Sequence, residues 1–259
     1  MNKANIICIK WGTKYPAYYV NRLYAGVERF LSRPFNFYCM TDDAEGITDK
    51  VKILPLAEEP FTTTVKETLK ESKRKGAFGK ISLFKPGLIP DEGPILGFDL
   101  DVVITGPLDD LIDFAPGKVC MRHDWLGSRR GRPDGHGSVF RFDPNLHSYL
   151  YNDFASDTAN LIRNSKYSEQ KYTSSMTQAK GDFEYFPGEW ISSFKRDAMR
   201  IPPLNYFLEP KLPASTRVMC FHGNPKMEEA VEGFNGSFTR HTRPCSWLQQ
   251  LWVADENPQ

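Results

Sequence analysis

Short apolar blocks separated by polar punctuation run through this chain, and their period switches between two and about 3.6. Asn5 to Ile9 is a β-rich apolar run. After the turn Lys10-Trp11-Gly12-Thr13-Lys14-Tyr15-Pro16, a helical pattern spans about Ala17 to Leu31, with Tyr19, Leu23, Val27 and Phe30 on one face. Pro34 introduces a second strand, Phe35 to Met40, which closes in Thr41-Asp42-Asp43. A strand, a helix and a strand ending in acids make a βαβ opening, and ligands of such sheets gather beyond the carboxyl ends of the strands. No G-x-G-x-x-G follows the first strand, which counts against a dinucleotide.

Val51 to Leu54 predicts a third short strand, Thr62 to Lys75 a polar helix end and loop, and Phe78 to Pro86 a helical turn. The centre of the chain is Gly93 to Gly106, where apolar Ile95–Phe98 and Val102–Ile104 flank Asp99-Leu100-Asp101. This reads as one buried parallel strand. Side chains alternate along a strand, so Asp99 and Asp101 point to one side and Leu100 to the other. An unpartnered carboxylate out of water costs several kcal/mol, so the pair requires compensation. A divalent cation such as manganese or magnesium is one answer. A capped turn plus a buried ion pair is the other.

Downstream, a short helix is expected over Pro107–Leu111 and a strand over Lys118–Met121. The basic, Gly-rich loop Asp124–Asp134 reads as a mobile lid over phosphates or as an insertion. Gly135–Asn145 predicts a strand whose small, polar first half lets a ligand come close to the backbone. Leu146–Ile162 has helical spacing, and Ser168 is an N-cap for a helix starting Glu169-Gln170-Lys171-Tyr172. Phe183–Lys195 is aromatic and interrupted, more like a recognition surface than a regular element. Arg217–Phe221 is a last strand that runs into His222-Gly223-Asn224-Pro225-Lys226. The tail residues Trp247, Leu248, Leu251 and Trp252 form an amphipathic turn or two, suited to the domain's own core, a second subunit or a membrane surface.

Composition narrows the field. With 259 residues, 40% hydrophobic and 25% charged, the chain suits one α/β domain with ample core. A net charge of +1 supplies no field for nucleic acid. The five cysteines are scattered, with no C-x-x-C pair, which argues for reduced thiols and a cytoplasmic setting. No signal peptide or membrane span is evident. Individual residues keep two readings each. Trp11 and Tyr15 stack on a flat base or pack the loop, and Asp42 accepts from that base or caps a turn. Lys80 sits near a phosphate or on the surface, and His222 is a third metal ligand or a structural histidine.

In this order the motifs resemble the GT-A fold glycosyltransferases that use nucleotide sugars, most closely the retaining family 8 type of bacterial surface-polysaccharide synthesis. The resemblance covers Ile6 to Lys226. Lys10-Trp11-Gly12-Thr13-Lys14-Tyr15 with Asn21-Arg22-Leu23 and Thr41-Asp42-Asp43 is similar to the nucleotide-binding start, and Phe98 to Val103 to the Asp-x-Asp segment. Lys80 falls where the family carries a basic residue on the donor. Gly137 to Phe142 resembles the strand beside the donor sugar, Ser168 to Tyr172 the Asp-Gln motif, and Phe221 to Lys226 the closing His…Lys motif. Three positions differ from the usual pattern. Glu169 replaces Asp, Gly137 replaces Asn, and the spacing from His222 to Lys226 is shorter.

The resemblance implies a mixed, mainly parallel central sheet flanked by helices in one domain over 1–259, with a nucleotide-binding half of about 1–106 and an acceptor-side half of about 107–259. It further implies a UDP-sugar donor held by Lys10, Trp11, Gly12, Thr13, Tyr15, Asp42, Lys80, Asp99, Leu100, Asp101, Gly137, Ser138 and Lys226. Manganese or magnesium would sit on Asp99, Asp101 and His222, and Glu169 and Gln170 would lie at the reacting sugar. The acceptor is expected to be a saccharide or glycolipid, with the C-terminal segment at the inner face of a membrane. Two rivals remain: a metal-dependent sugar-phosphate phosphohydrolase using Asp99 and Asp101, and a non-catalytic carbohydrate-binding protein.

Overall fold

The structure is a computed structural model that describes residues 3–73, 78–90, 93–129 and 131–253. Positions 74–75 of the polar run, Arg130 of the basic loop and the last six residues of the single-domain expectation lie outside it. The chain opens with β1 (Ala4–Lys10), α1 (Ala17–Phe30), β2 (Phe35–Thr41), β3 (Lys52–Pro55) and α2 (Thr62–Leu69). A 3-10 turn (Gly79–Phe84) leads into β4 (Ile95–Phe98) and β5 (Val102–Ile104). Then come α3 (Asp109–Asp113), β6 (Val119–His123), α4 (Trp125–Arg129) and β7 (Gly135–Phe142). Four helices follow: α5 (Pro144–His147), α6 (Tyr149–Ser156), α7 (Thr158–Asn164) and α8 (Glu169–Lys180). β8 (Phe183–Tyr185), β9 (Ile191–Ser193), β10 (Val218–Cys220), α9 (Met227–Glu232) and α10 (Ser246–Leu248) complete the described chain.

Seven strands form one sheet in the order β3-β2-β1-β4-β7-β6-β8. Its β3, β2, β1 and β4 run parallel, and β7 is antiparallel to both its neighbours. The period of two divides β1 and β2 between two cores. Ile6, Cys8, Phe37 and Cys39 face one apolar cluster, while Ile7, Tyr38 and Met40 face the other. Helix α1 covers the first face with Tyr19, Val20, Leu23 and Val27. It lies close because a Cβ on Gly26 would stand only 3.2 Å from Ile104. The turn 79–84 and α6, α7 and α8 cover the second face through Ile81, Phe84, Phe154, Ile162 and Tyr172.

The central stretch departs from expectation. Instead of one strand carrying both acids, the chain leaves the large sheet after Phe98 and enters a second sheet, ordered β5-β10-β9, at Val102. Asp99-Leu100-Asp101 is the seam between the two sheets, and strand alternation does not set where the acids point. The apolar runs on either side belong to different sheets, a break that periodicity cannot reveal.

Three other expectations change. The helical spacing of 146–162 is broken into α5, α6 and α7, with helix interruptions at Ser148 and Asp157. The supposed recognition surface 183–195 supplies β8 and β9, and it buries Phe186, Ile191 and Phe194 in the core. The basic loop opens with α4, whose Trp125 is buried against the Arg122 guanidinium, 4.1 Å from its ring. In the tail, Leu248 and Trp252 are buried against the domain's own core, the packing option among the three. Among the described residues no helix is long and apolar enough to cross a membrane. All five cysteines are buried and free.

Candidate active site

The seam is tethered at both ends. The Asp99 N–H donates to the Ser138 carbonyl in β7 at 2.9 Å, and the Asp101 carbonyl accepts from the Phe221 N–H, just past β10, at 2.8 Å. Each carboxylate has its own partners. The Lys80 ammonium lies 2.6 Å from Asp99 Oδ1, and Ser138 Oγ donates to Asp99 Oδ2 at 2.9 Å. Tyr15 donates its hydroxyl to Asp101 Oδ2 at 3.0 Å. Burial first, and Asp99 second, push the Asp101 carboxyl above its ordinary pKa, against the pull of the Tyr15 hydroxyl, Lys14 and Lys226.

Two recesses meet at these acids. One, of about 570 Å3, is lined by Lys80, Ser138, Glu169, Gln170 and His222 as well as by Asp99 and Asp101. The other, of about 180 Å3, lies at the end of β1 between Trp11, Lys14, Tyr15 and the same two acids. A third hollow, of about 540 Å3 and largely apolar, starts at Ile9, Trp11 and Asp42 and runs between α2 and the 79–84 turn.

Lys80 is the hub of the larger recess. Its ammonium touches Asp99 and donates to the Gly137 carbonyl at 2.6 Å, while its backbone N–H donates to Glu169 Oε2 at 2.9 Å. Burial works against the ammonium, but Asp99 and then Glu169 outweigh it, and the lysine pKa ends above its ordinary value. Ser168 caps α8 as its sequence predicts, its side chain accepting from the Lys171 N–H. That cap presents Glu169 and Gln170 in the first turn of the helix. The Glu169 carboxyl is pushed up to about 7, by burial above all, with Lys80 opposing. Gln170 Oε1 accepts from the Gly137 N–H at 3.3 Å. Lys166 and Tyr167, just before this turn, both have positive φ (54° and 58°), and Tyr167 forms part of the cavity wall. Such backbone is costly for non-glycine residues and marks a position the fold holds firmly.

The opposite wall is less satisfied. His222 Nε2 shares a hydrogen bond with Ser193 Oγ at 3.2 Å, but its Nδ1 is buried without a partner. Burial, then Lys195 and Arg196, lower its pKa, so the imidazole is held neutral. His136 packs with the Trp125 and His222 rings in a three-ring cluster, with centroids 4.6 and 5.7 Å from its own and 5.1 Å from each other, and burial pushes its pKa down to about 4. Lys226 is at the N-cap of α9, where its N–H donates to Glu229 Oε2 at 2.7 Å. The ammonium of Lys195 lies over Gly223, 2.5 Å from where a Cβ would stand.

Among the described residues, no group of three or more His, Cys, Asp and Glu side chains is close enough to hold a metal ion. The expected trio therefore shares one cavity without forming a coordination site, because Asp99 is engaged by Lys80 and Asp101 by Tyr15. Its chemistry still suits a cation. The set is two hard carboxylates that repel one another and a neutral imidazole with an orphaned nitrogen.

The remaining sequence candidates separate into two groups. Trp11, 59% exposed, and Leu100 line the smaller recess. Lys10 is buried and engaged with Asp43, its ammonium 2.9 Å from the backbone carbonyl and 3.2 Å from Oδ2. The Asp42 carboxylate accepts from the Gly12 N–H at 3.1 and 3.2 Å, which braces the loop, and Thr13 is exposed. Sequence reasoning assigned no role to His136, Thr173, Met121 or Lys14. For His136 a signal was present, since it lies two residues before Ser138 on the same strand face.

No family model matches the sequence, and no curated protein matches it either. Solved structures do match. The galactosyltransferase LgtC, in complex with donor and acceptor sugar analogs, is 13% identical, with a TM-score of 0.63 over 98% of this chain and 97% of that one. The chain has the GT-A fold. Mouse xyloside xylosyltransferase 1 matches at 11% identity and TM-score 0.51, over 86% of this chain and 98% of that one. The glycosyltransferase GlyE of Streptococcus pneumoniae TIGR4 matches at 11% and 0.60, over 99% of this chain and 62% of that one. The common feature is the architecture, a mixed, mainly parallel central sheet flanked by helices.

Proposed function

We propose that this GT-A chain is a metal-dependent glycosyltransferase that moves a hexosyl group from a UDP-sugar to a hydroxyl of a saccharide or glycolipid, with retention, in polysaccharide synthesis. The observation that carries this reading is that Asp99 and Asp101 form the wall common to the two recesses. A nucleoside seated under Trp11 and Tyr15 and a hexose seated against Glu169 and Gln170 would be joined across those acids, where a diphosphate must lie. Manganese or magnesium held by Asp99, Asp101 and His222 would supply Lewis-acid stabilisation of the departing diphosphate.

The protein's own residues supply the rest. Lys80 brings a cation already fixed to Asp99 and Gly137, so stabilising growing phosphate charge requires little reorganisation. Lys226, whose charge reaches Asp101, adds to the same field. Glu169, poised near neutrality, orients sugar hydroxyls as donor or acceptor rather than serving as a committed nucleophile. Gln170, fixed through its oxygen, keeps its amide N–H groups for the sugar. In this arrangement the acceptor oxygen bonds to the anomeric carbon from the face that UDP leaves, as the bond from that carbon to the diphosphate oxygen breaks and the hydroxyl proton passes to that departing oxygen.

Calorimetric titration of UDP with and without manganese tests the reading, followed by a panel of UDP-sugars screened for slow donor hydrolysis. The expected result is manganese-dependent tightening and turnover of one or two UDP-hexoses. Metal-indifferent UDP binding with no donor consumed would overturn it.

A further inference from the structure

Ten large apolar residues are conspicuously exposed among the described ones, and six of them fall in one place: Ile201, Leu204, Tyr206, Phe207, Leu208 and Phe238. Ile201 and Phe207 are 74% and 76% exposed, and Phe238 is 64% exposed. Scattered surface apolar residues need no explanation, but a grouped set does. The group is not a loose loop. Asn205, itself buried, donates its amide to the carbonyls of Phe238 at 2.9 Å and His241 at 3.2 Å. Tyr206 stacks on His241 at 4.1 Å and lies 6.0 Å from the Phe238 ring. The 201–208 knuckle and the 234–242 turn, closed by the Phe234–Thr242 bridge, therefore form one frame that holds its apolar side chains outward.

The charge around this frame is one-sided. Residues 195–211 and 233–243 contain Lys195, Arg196, Arg200, Lys211, Arg240 and Arg243, against only Asp197 and Glu209. The whole chain carries only +1, so the excess is concentrated here. Arg196, Lys211, Arg240 and Arg243 are exposed, and among the described residues no ion pair holds them. Exposed aromatic and aliphatic side chains ringed by cations match the interface of an anionic bilayer, where the apolar groups enter the headgroup region and the cations meet lipid phosphate.

We propose that the 201–208 knuckle, with Phe238 and the surrounding Arg and Lys residues, is a peripheral docking surface for anionic phospholipid membranes. This differs from the C-terminal tail anticipated from sequence, whose Leu248 and Trp252 are committed to the core. The patch also adjoins the candidate active site, since Lys195, at the start of its basic stretch, lies over Gly223 beside His222. On the sugar-transfer reading, a glycolipid acceptor in the bilayer would enter on this side.

The test is sedimentation of the full chain with vesicles of phosphatidylglycerol and phosphatidylcholine, against phosphatidylcholine alone, with no donor or acceptor present. Its outcome is thus independent of the catalytic reading. Binding to the anionic vesicles that weakens with salt is expected. Ile201→Ser with Phe207→Ser should reduce it by about tenfold or more, as removal of two interfacial anchors implies. Arg240→Gln with Arg243→Gln should reduce it by about tenfold and flatten its salt dependence. Both double variants alter exposed positions and should melt as the parent does. The proposal is overturned if the chain ignores anionic vesicles, if it binds phosphatidylcholine equally, or if the variants bind unchanged. It is overturned too if ultracentrifugation shows a dimer that Phe207→Ser dissociates, because the patch then faces a second copy.

Discussion

The two walls of the large recess differ in how complete they are. On one side Lys80, Asp99, Ser138, Gly137, Glu169 and Gln170 satisfy one another through hydrogen bonds and an ion pair. On the other, His222 leaves a buried nitrogen without a partner, and burial, then Lys195 and Arg196, lower its pKa. Buried polar groups are ordinarily paired, so an incomplete wall is where a ligand has the most to contribute. The complete wall shapes the site, and the incomplete one leaves the His222 Nδ1 for a ligand to meet.

Substitutions can break this contrast in order of size. Lys80→Ala removes the hub of the complete wall and should lower donor turnover by about a hundredfold or more, together with a lower melting temperature. Gly97→Ala attacks the same wall from behind, because a Cβ there would meet the Phe140 ring at 2.4 to 2.7 Å and push it towards the cavity. Its expected cost is about 1–3 kcal/mol, read from the urea midpoint. His222→Ala belongs to the incomplete wall. It should leave the metal-free melting temperature nearly unchanged while removing about tenfold or more of the manganese-dependent UDP affinity. If it instead destabilises the metal-free protein as much as Lys80→Ala does, the two walls are not different in kind.

A further contrast is in pH dependence. In the folded state Glu169 is raised to about 7 from an ordinary 4.5, so the native protein binds this proton more tightly. Its contribution is fully present below pH 4.5 and lost as pH rises through 7. Glu169→Gln cannot ionise, so its melting temperature should gain on the parent's across that window. His136 acts in the opposite sense. Its pKa is lowered to about 4 from 6.5, so its contribution is present above 6.5 and lost as pH falls through 4. Thermal melts of the metal-free proteins on both sides of each window provide the check.

Much of the complete wall could be read from the amino-acid string. Ser168 at its cap, the alternation of β7 and the strand–helix–strand opening all follow from local rules that act within a few residues. The incomplete wall is legible only in part. The strand that runs into His222 can be foreseen, whereas β9 and the turn 194–198 after it are segments of three to five residues whose pairing is set by distant partners. The aromatic run 183–194 looked like a surface for the same reason. Aromatic content alone does not distinguish Phe194, sealed inside the core, from Phe207, fully outside it. Phe194 is sealed in by stacking on Phe221 at 4.5 Å, just beyond the paired ends of β9 and β10.

The seam has one more consequence. Asp99 is fastened to the seven-stranded sheet and Asp101 to the three-stranded one. On the metal-dependent reading, a cation held by the two carboxylates would add a rivet between two sheets that already share one apolar core. Its binding energy would be stored as resistance to their coming apart, so the loaded protein should melt as one stiffer body.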